Sequence, residues 1–358
     1  MIMLERRRET SRVMKFASPL LALVLTVISG AALFGLLGFD PLEALYQFFI
    51  APVMTSYGIA ELLLKATPLI LIGVGLAIGY RANVWNIGAE GQLIIGAIAG
   101  GAIGLALHGV DSVLVLPLMI AGGILGGMAW AAIPALLRTH FNASELLTSL
   151  MLTYVAELLL TWAVNGPLKD PDGFSFPESK MFHDSASMPL LLEGTRLHGG
   201  FLAALIVVLL GWFFISRSLP GYEVRVTGSA PHAARFAGFS QTVTIWMTLL
   251  AGGALAGLAG LFEVAGPVGQ LVPKISPGYG FTAIIVAFLG RLHPVGILFA
   301  GLLVALSYLG GEMAQITLNM PLAVTGVFQG LLLFFLLGVD ILLTHRIRIG
   351  HIKPRSAS

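Results

Sequence analysis

Apolar stretches of about twenty residues follow one another almost from end to end of this 358-residue chain, and that feature leaves few folds open. A hydrocarbon core about 30 Å thick is crossed by roughly 20 apolar residues in a helix, because there a backbone must satisfy its own hydrogen bonds. Such runs lie near residues 17–38, 59–79, 87–107, 113–137, 145–165, 199–216, 243–262, 276–290, 295–311 and 321–343. They predict an all-α polytopic membrane protein with about ten transmembrane helices. Charged residues make up only 11% of the chain and the mean hydropathy is +0.91, so no stretch remains for a soluble enzyme domain.

The first run follows Arg6, Arg7, Arg8, Arg12 and Lys15, and it is longer than a secretory core. It reads as an uncleaved first helix rather than a signal ending near Ser29-Gly30-Ala31. With the N-terminus inside and strict alternation, 15 of the 20 Lys and Arg fall on the inner side. Lys169, Lys180, Arg196 and Lys274 fall on the outer side, and Lys65 lies within a span. That asymmetry follows the positive-inside rule and predicts both termini inside. The expected organisation is a single transmembrane domain over 1–358. It has cytoplasmic tails at 1–16 and 344–358, an outer loop at 166–198 and an inner loop at 217–242. The eighth run rises only about 22 Å as a helix, short of the core.

The residue inventory excludes most chemistry. Without cysteine there is no disulfide, cysteine-bound zinc, iron–sulfur cluster or thiol catalysis. No lysine follows a glycine, so the chain holds no nucleotide-binding P-loop, and it has neither a His-Glu-x-x-His nor a Gly-x-Ser-x-Gly motif. A transport protein that binds no metal or cofactor of its own is expected. Its basic residues form short patches beside apolar runs, which argues against a nucleic-acid partner. Glu90, Glu145, Glu157 and Glu263 lie within or at the ends of spans, where a carboxylate is costly unless paired or wetted. Glu145 and Glu263 read as hydrated interfacial groups. Glu61 and Lys65, four apart, are expected to neutralise each other. Gly96, Gly100 and Gly104, Gly122 and Gly126, Gly123 and Gly127, and Gly253 and Gly257 are spaced as close helix-packing faces.

Two polar, glycine-punctuated segments interrupt the apolar pattern. One is Arg81 to Gln92, before the third span; the other runs from Gly266 to Gly280, before the eighth. Their matched positions predict an inverted repeat, with spans 2–5 corresponding to spans 7–10. Broken helices at depth must face protein or water, so Asn86, Glu90, Gln92, Tyr279 and Phe281 are candidates for a substrate pathway. Glu90 has an equal claim to holding the two halves together. Trp85, Asn83 and Asn86 could receive a ring-shaped solute, although an interfacial Trp is also an ordinary anchor. In the inner loop, Ser229 to Ala237 carries helix-start chemistry and ends at Gly238. This predicts a short, smooth helix that docks into a groove on another protein through Gly228, Ala230, Ala233, Ala234, Arg235, Ala237 and Gly238. An alternative is a self-sufficient proton-coupled carrier using Glu90 and Glu263 as relay groups. A channel is disfavoured because no filter motif stands out.

The stretch Gly228-Ser229-Ala230-Pro231-His232-Ala233-Ala234-Arg235-Phe236-Ala237-Gly238 resembles the cytoplasmic coupling loop of bacterial ABC importer permeases for branched-chain amino acids, simple sugars and nucleosides. Residues 81–92 resemble the nucleoside and simple-sugar branch, and residues 276–281 with 285–294 are similar to its second-half motif. Residues 142–154 are similar to a further family stretch but depart from it at Ala143-Ser144 and at Thr153. Length and the long outer loop resemble the larger of two paired permeases. The resemblance implies a subunit of the bacterial cytoplasmic (inner) membrane that works by alternating access. It implies three partners: an ATP-binding subunit that holds ATP and magnesium, a second permease forming a heterodimer, and an extracytoplasmic substrate-binding lipoprotein. It also implies that the coupling residues named above contact the ATPase, and that nucleosides or nucleobases come first as substrates and simple sugars second.

Overall fold

Where the sequence is apolar without a strand-like alternation, the chain is helical. The computed structural model describes residues 2–6, 12–174, 176–321 and 323–349. Its helices are α1 (Arg12–Leu36), α2 (Pro41–Phe49), α3 (Ser56–Arg81), α4 (Ala89–Ala106), α5 (Val115–Phe141), α6 (Glu145–Asn165) and α7 (Gly200–Arg217). They continue with α8 (Leu219–Ser229), α9 (Pro231–Phe236), α10 (Gln241–Glu263), α11 (Tyr279–Leu289), α12 (Pro294–Leu318) and α13 (Ala323–Thr344). Among the described residues seven helices are long and apolar enough to cross a membrane, and three shorter apolar ones lie at Leu20–Leu36, Tyr279–Leu289 and Ala323–Val339. All ten coincide with the expected runs, but α11 is shorter than its run and rises only about 17 Å, half a bilayer core. The amphipathic α2 and the inner-loop helix α8 were not anticipated.

Two compact units are present, Val53–Leu306 and Met1–Pro52 with Ser307–Ser358. The larger is built around α3, α4, α5 and α10. Lipid tails are as apolar as Leu, so close backbone approach rather than water exclusion holds such helices together. The glycine faces do this as their spacing predicts. A Cβ at Gly96 would lie 2.5 Å from the Gly257 carbonyl oxygen, and one at Gly127 would lie 2.8 Å from Gly257 Cα. Helices α4, α5 and α10 therefore touch main chain to main chain.

In this unit the connecting segments sort to opposite ends, as the alternation requires. At the basic end Arg81 Nε donates to Leu292 O (2.8 Å), Trp85 N donates to Glu145 Oε1 (3.2 Å), and Arg138 pairs with Glu145. Glu145 is thus an ion-paired brace rather than a merely hydrated group. At the other end Ser185 Oγ donates to Val110 O (2.8 Å), Ser179 N to Leu271 O (3.0 Å) and Met188 N to Ala265 O (2.8 Å).

In the smaller unit Asp40 caps α2, its Oδ1 accepting from Leu42 N (2.8 Å) and Glu43 N (3.2 Å). Phe48 rests against Phe34 and Phe328, with ring centroids 5.3 and 5.6 Å apart. Two strands, β1 (Ile2–Arg6) and β2 (His345–Ile349), pair antiparallel from Ile2 opposite Ile349 to Arg6 opposite His345, so these two segments lie side by side.

Candidate functional site

Helix α3 stops where Asn83 enters the left-handed region (φ 57°) and the Ala82 and Val84 N–H groups turn back to Gly79 O. Residues 82–88 then run without helix into α4. Asn86 and Gln92 hold this re-entry through each other: Asn86 Nδ2 donates to Gln92 Oε1 (2.9 Å) and Gln92 Nε2 donates to Asn86 Oδ1 (3.2 Å). The same Asn86 oxygen accepts from Gly88 N (3.0 Å), and its carbonyl accepts from Tyr80 Oη (3.0 Å). Both amides are buried and spent on local structure. Trp85 packs on Tyr80 and Phe288, at 5.1 and 6.0 Å between ring centroids, while its Nε1 donates to Asn83 Oδ1.

The second break follows α10. A wide turn over Val264–Val268 ends at Gly269 (φ 76°), and residues 269–278 are again non-helical. Ser276 starts α11, its Oγ accepting from Gly278 N (3.0 Å) and Tyr279 N (2.9 Å). The two breaks meet. Gly280 N in the first turn of α11 donates to Glu90 Oε2 in the first turn of α4, at 2.6 Å. Two short helices thus direct their positive ends at one buried acceptor. Only glycine permits the contact, since a Cβ at position 280 would lie 2.5 Å from Glu90 Cα.

Beside Glu90 opens a cavity of about 310 Å³, lined also by Glu157 and Thr161 of α6 and by Lys274 and Ser276 of the second break. Tyr279 is buried and faces elsewhere, onto a cavity of about 110 Å³ with Glu61, Lys65, Arg196 and Glu263. There Glu61 accepts from Arg196 Nε (3.0 Å) and Nη2 (2.5 Å), a bidentate fork from the outer loop that the four-residue spacing to Lys65 did not foretell. That bond holds the Arg196 guanidinium above its usual pKa range. Phe281 is on the surface, 37% exposed. The five pathway candidates therefore divide into a buried amide clasp (Asn86, Gln92), a junction beside the larger cavity (Glu90), the wall of the smaller one (Tyr279) and the outer surface (Phe281). Ser276 and Lys274 were not among the pathway candidates, although Ser-Pro-Gly before an apolar run is a helix-start signal.

In the inner loop the expected short helix is α9, which runs only from Pro231 to Phe236 within Ser229 to Ala237 and is preceded by α8. The chain breaks at Ala230 (φ −145°, ψ 71°), because Pro231 bars its predecessor from helical geometry. Helix α9 ends on Gly238 (φ 84°), with Phe239 N donating to Ala234 O (3.0 Å). Gly228 is wedged against the Arg81 main chain, where a Cβ would lie 2.8 Å from its carbonyl carbon. Ala230, Ala233, Arg235, Ala237 and Gly238 are exposed, whereas Ala234 is buried and turned inward, off the outer face on which it was expected to dock. Phe236, between them and missing from the sequence-derived set, is 99% exposed. A lone aromatic in a run of small residues was its signal.

A family described as the permease component of branched-chain amino acid transport systems matches residues 58–337. The chain is 34% identical to the glucose ABC transporter permease protein TsgB13 of Haloferax volcanii, over 98% of this chain and 94% of that one. It is 30% identical to the guanosine ABC transporter permease protein NupP of Bacillus subtilis, over 95% and 97%. It is 28% identical to the nucleoside ABC transporter permease protein NupB of Lactococcus lactis, over 90% of each.

Proposed function

As this chain belongs to the permease-component family of the branched-chain amino acid transport systems, and so is a multi-pass ABC importer subunit rather than an enzyme, we propose that it carries nucleosides, with simple sugars second, inward by alternating access. An ABC permease acts with an ATP-binding subunit and a substrate-binding protein. For this chain the proposed arrangement is a cytoplasmic membrane location with the basic end inside, ATP and magnesium on the ATPase, a second permease as heterodimeric partner, and an extracytoplasmic lipoprotein that delivers solute.

The observation that carries the coupling role is Phe236, an aromatic 99% exposed on a short helix at the basic end of a chain without its own P-loop. An exposed aromatic flanked by small residues fits a socket on another protein. Ala230, Ala233, Arg235, Ala237 and Gly238 are exposed beside it in the loop, Gly228 seats the loop on the Arg81 main chain, and Ala234 anchors α9 from within. In vesicles containing the assembled importer, Phe236→Ala or Ala233→Trp should leave ATP hydrolysis running without uptake. Normal uptake in both variants would refute docking. Ala234→Trp is the poorer test, because it strikes the loop's own packing.

The substrate order is supported by the guanosine and nucleoside permeases among the relatives and by the glucose permease beside them. Uptake of labelled guanosine should be competed by nucleosides, more weakly by glucose or ribose, and not by leucine; competition by leucine alone would overturn the order. The proposed pathway passes Glu90 and Phe281, with Asn86, Gln92 and Tyr279 shaping its wall. Because the chain has no native cysteine, single cysteines at these positions report aqueous access directly.

A further inference from the structure

Helix α6 carries a carboxyl group where lipid would be expected. Glu157 is exposed, about 12 Å along the helix from its outer end at Asn165 and about 18 Å from its inner end at Glu145. A carboxyl group at that depth is costly against hydrocarbon, so its face borders water or protein. It is not alone. Glu157, Thr161 and Asn165 follow at intervals of four and all are exposed, forming a polar line up the outer half of α6. Local hydrogen bonds tie that line to the backbone: Thr161 Oγ1 donates to Glu157 O (2.9 Å) and Asn165 Nδ2 to Thr161 O (2.8 Å). Thr161 thus keeps hydroxyl lone pairs to accept from a visitor. Leu147, Met151, Leu158 and Trp162, also exposed, give the same helix a separate apolar stripe suited to lipid.

The lower part of the line opens into the cavity of about 310 Å³ whose floor is Glu90, Leu160 and Ser276 and whose rim is Glu157, Thr161 and Lys274. The floor's polar groups are engaged, Glu90 with Gly280 N and Ser276 with the first turn of α11. The rim offers a carboxyl acceptor, an ammonium donor and a hydroxyl, of opposite formal charge and so neutral as a set. Vicinal hydroxyls both donate and accept, and such a rim meets them without demanding charge on the ligand.

Resting on the importer reading above, we propose that this cavity is a holding site for an uncharged, hydroxyl-rich ring such as a nucleoside's ribose or a hexose, with Glu157, Thr161 and Lys274 as its contacts, and that the outer half of α6 lines the water-filled approach to it. The test uses the complete importer in vesicles, with Thr161→Cys supplying the only cysteine in this chain. Labelling by a small aqueous thiosulfonate is measured with and without saturating guanosine or D-glucose, on the same vesicles in which uptake is read. The site predicts rapid labelling, slowed at least tenfold by the solute that is taken up. It also predicts that Glu157→Gln raises the uptake KM at least fivefold while Leu158→Ala leaves it within twofold. A Thr161→Cys variant that never labels places this face against lipid or another chain and overturns the proposal. So does unprotected labelling in vesicles that take up the solute, a result that leaves the importer reading intact, whereas uptake that proceeds without the ATPase would overturn that reading instead.

Discussion

Gly280→Ala is the sharpest test of the junction between α4 and α11. The new Cβ would stand 2.5 Å from Glu90 Cα, where carbon atoms need about 3.5 Å, so the two helix starts must part by about 1 Å. The 2.6 Å bond from Gly280 N to Glu90 would then stretch to about 3.6 Å, which is no longer a hydrogen bond. Leaving a buried acceptor and donor unpaired costs about 1–3 kcal/mol, and overpacking a tight contact costs about another 1–3 kcal/mol. The sum, about 2–6 kcal/mol, is a large share of a typical stability and corresponds to a fall of about 3–8 °C in melting temperature. Gly326→Ala is the matched control, since nothing lies within 4 Å of a Cβ there. Both variants would be heated in detergent and followed by the monodisperse fraction on gel filtration, with uptake measured in parallel. If Gly280→Ala melted within a degree or two of the parent and transported normally, the junction would not be tight and the reasoning from it would fail.

Three further outcomes follow from separate features. His198 is buried, its Nδ1 accepts from Gly200 N (3.1 Å), and burial pushes its pKa down to about 4. The unfolded chain therefore takes up a proton near pH 6.5 that the folded chain refuses until about pH 4, so stability is full above that window and falls by about 3 kcal/mol as pH drops through it. Melting curves between pH 7 and 4 should show this loss, and His198→Asn, which keeps an acceptor but does not titrate, should flatten it. Arg196→Gln would leave Glu61, only 4% exposed, without its bidentate partner, and should cost up to about 3 kcal/mol in thermal melts, while Lys169→Gln in the same outer loop should cost almost nothing. Asn86→Ala should lower the melting temperature by an amount matching about 1–3 kcal/mol, because it orphans the Gln92 amide and the Gly88 N–H together; an unchanged melt would show the clasp to be dispensable.

Features that depend on local repetition were legible in the sequence. Apolar runs marked the long helices, and four-residue glycine spacing on α4, α5 and α10 marked the faces that meet, because both are periodic along one segment. Contacts between distant segments were not. Glu90 finds Gly280 190 positions away, and Arg196 reaches Glu61 across 135 positions. Nothing in either neighbourhood encodes the partner. The Asn86–Gln92 clasp was hidden for another reason: polar residues at depth advertise unmet hydrogen bonding, and here the two amides meet it for each other. At the inner loop, composition revealed a short smooth helix, but which residues face in depends on how α8 and α9 fold on each other, and so Ala234 lies buried while Phe236, not singled out by composition, stands exposed.

The shared carboxyl group also governs the order in which the chain can be built into a membrane. Residues 279–289 rise about 17 Å, too little to span the core, and the first N–H groups of this segment close onto Ser276 and onto Glu90. Left alone in hydrocarbon, such a helix end would carry unsatisfied donors at several kcal/mol each. Its insertion therefore depends on a site that the ribosome finished almost two hundred residues earlier, and α11 settles at depth only once α4 is there to receive it.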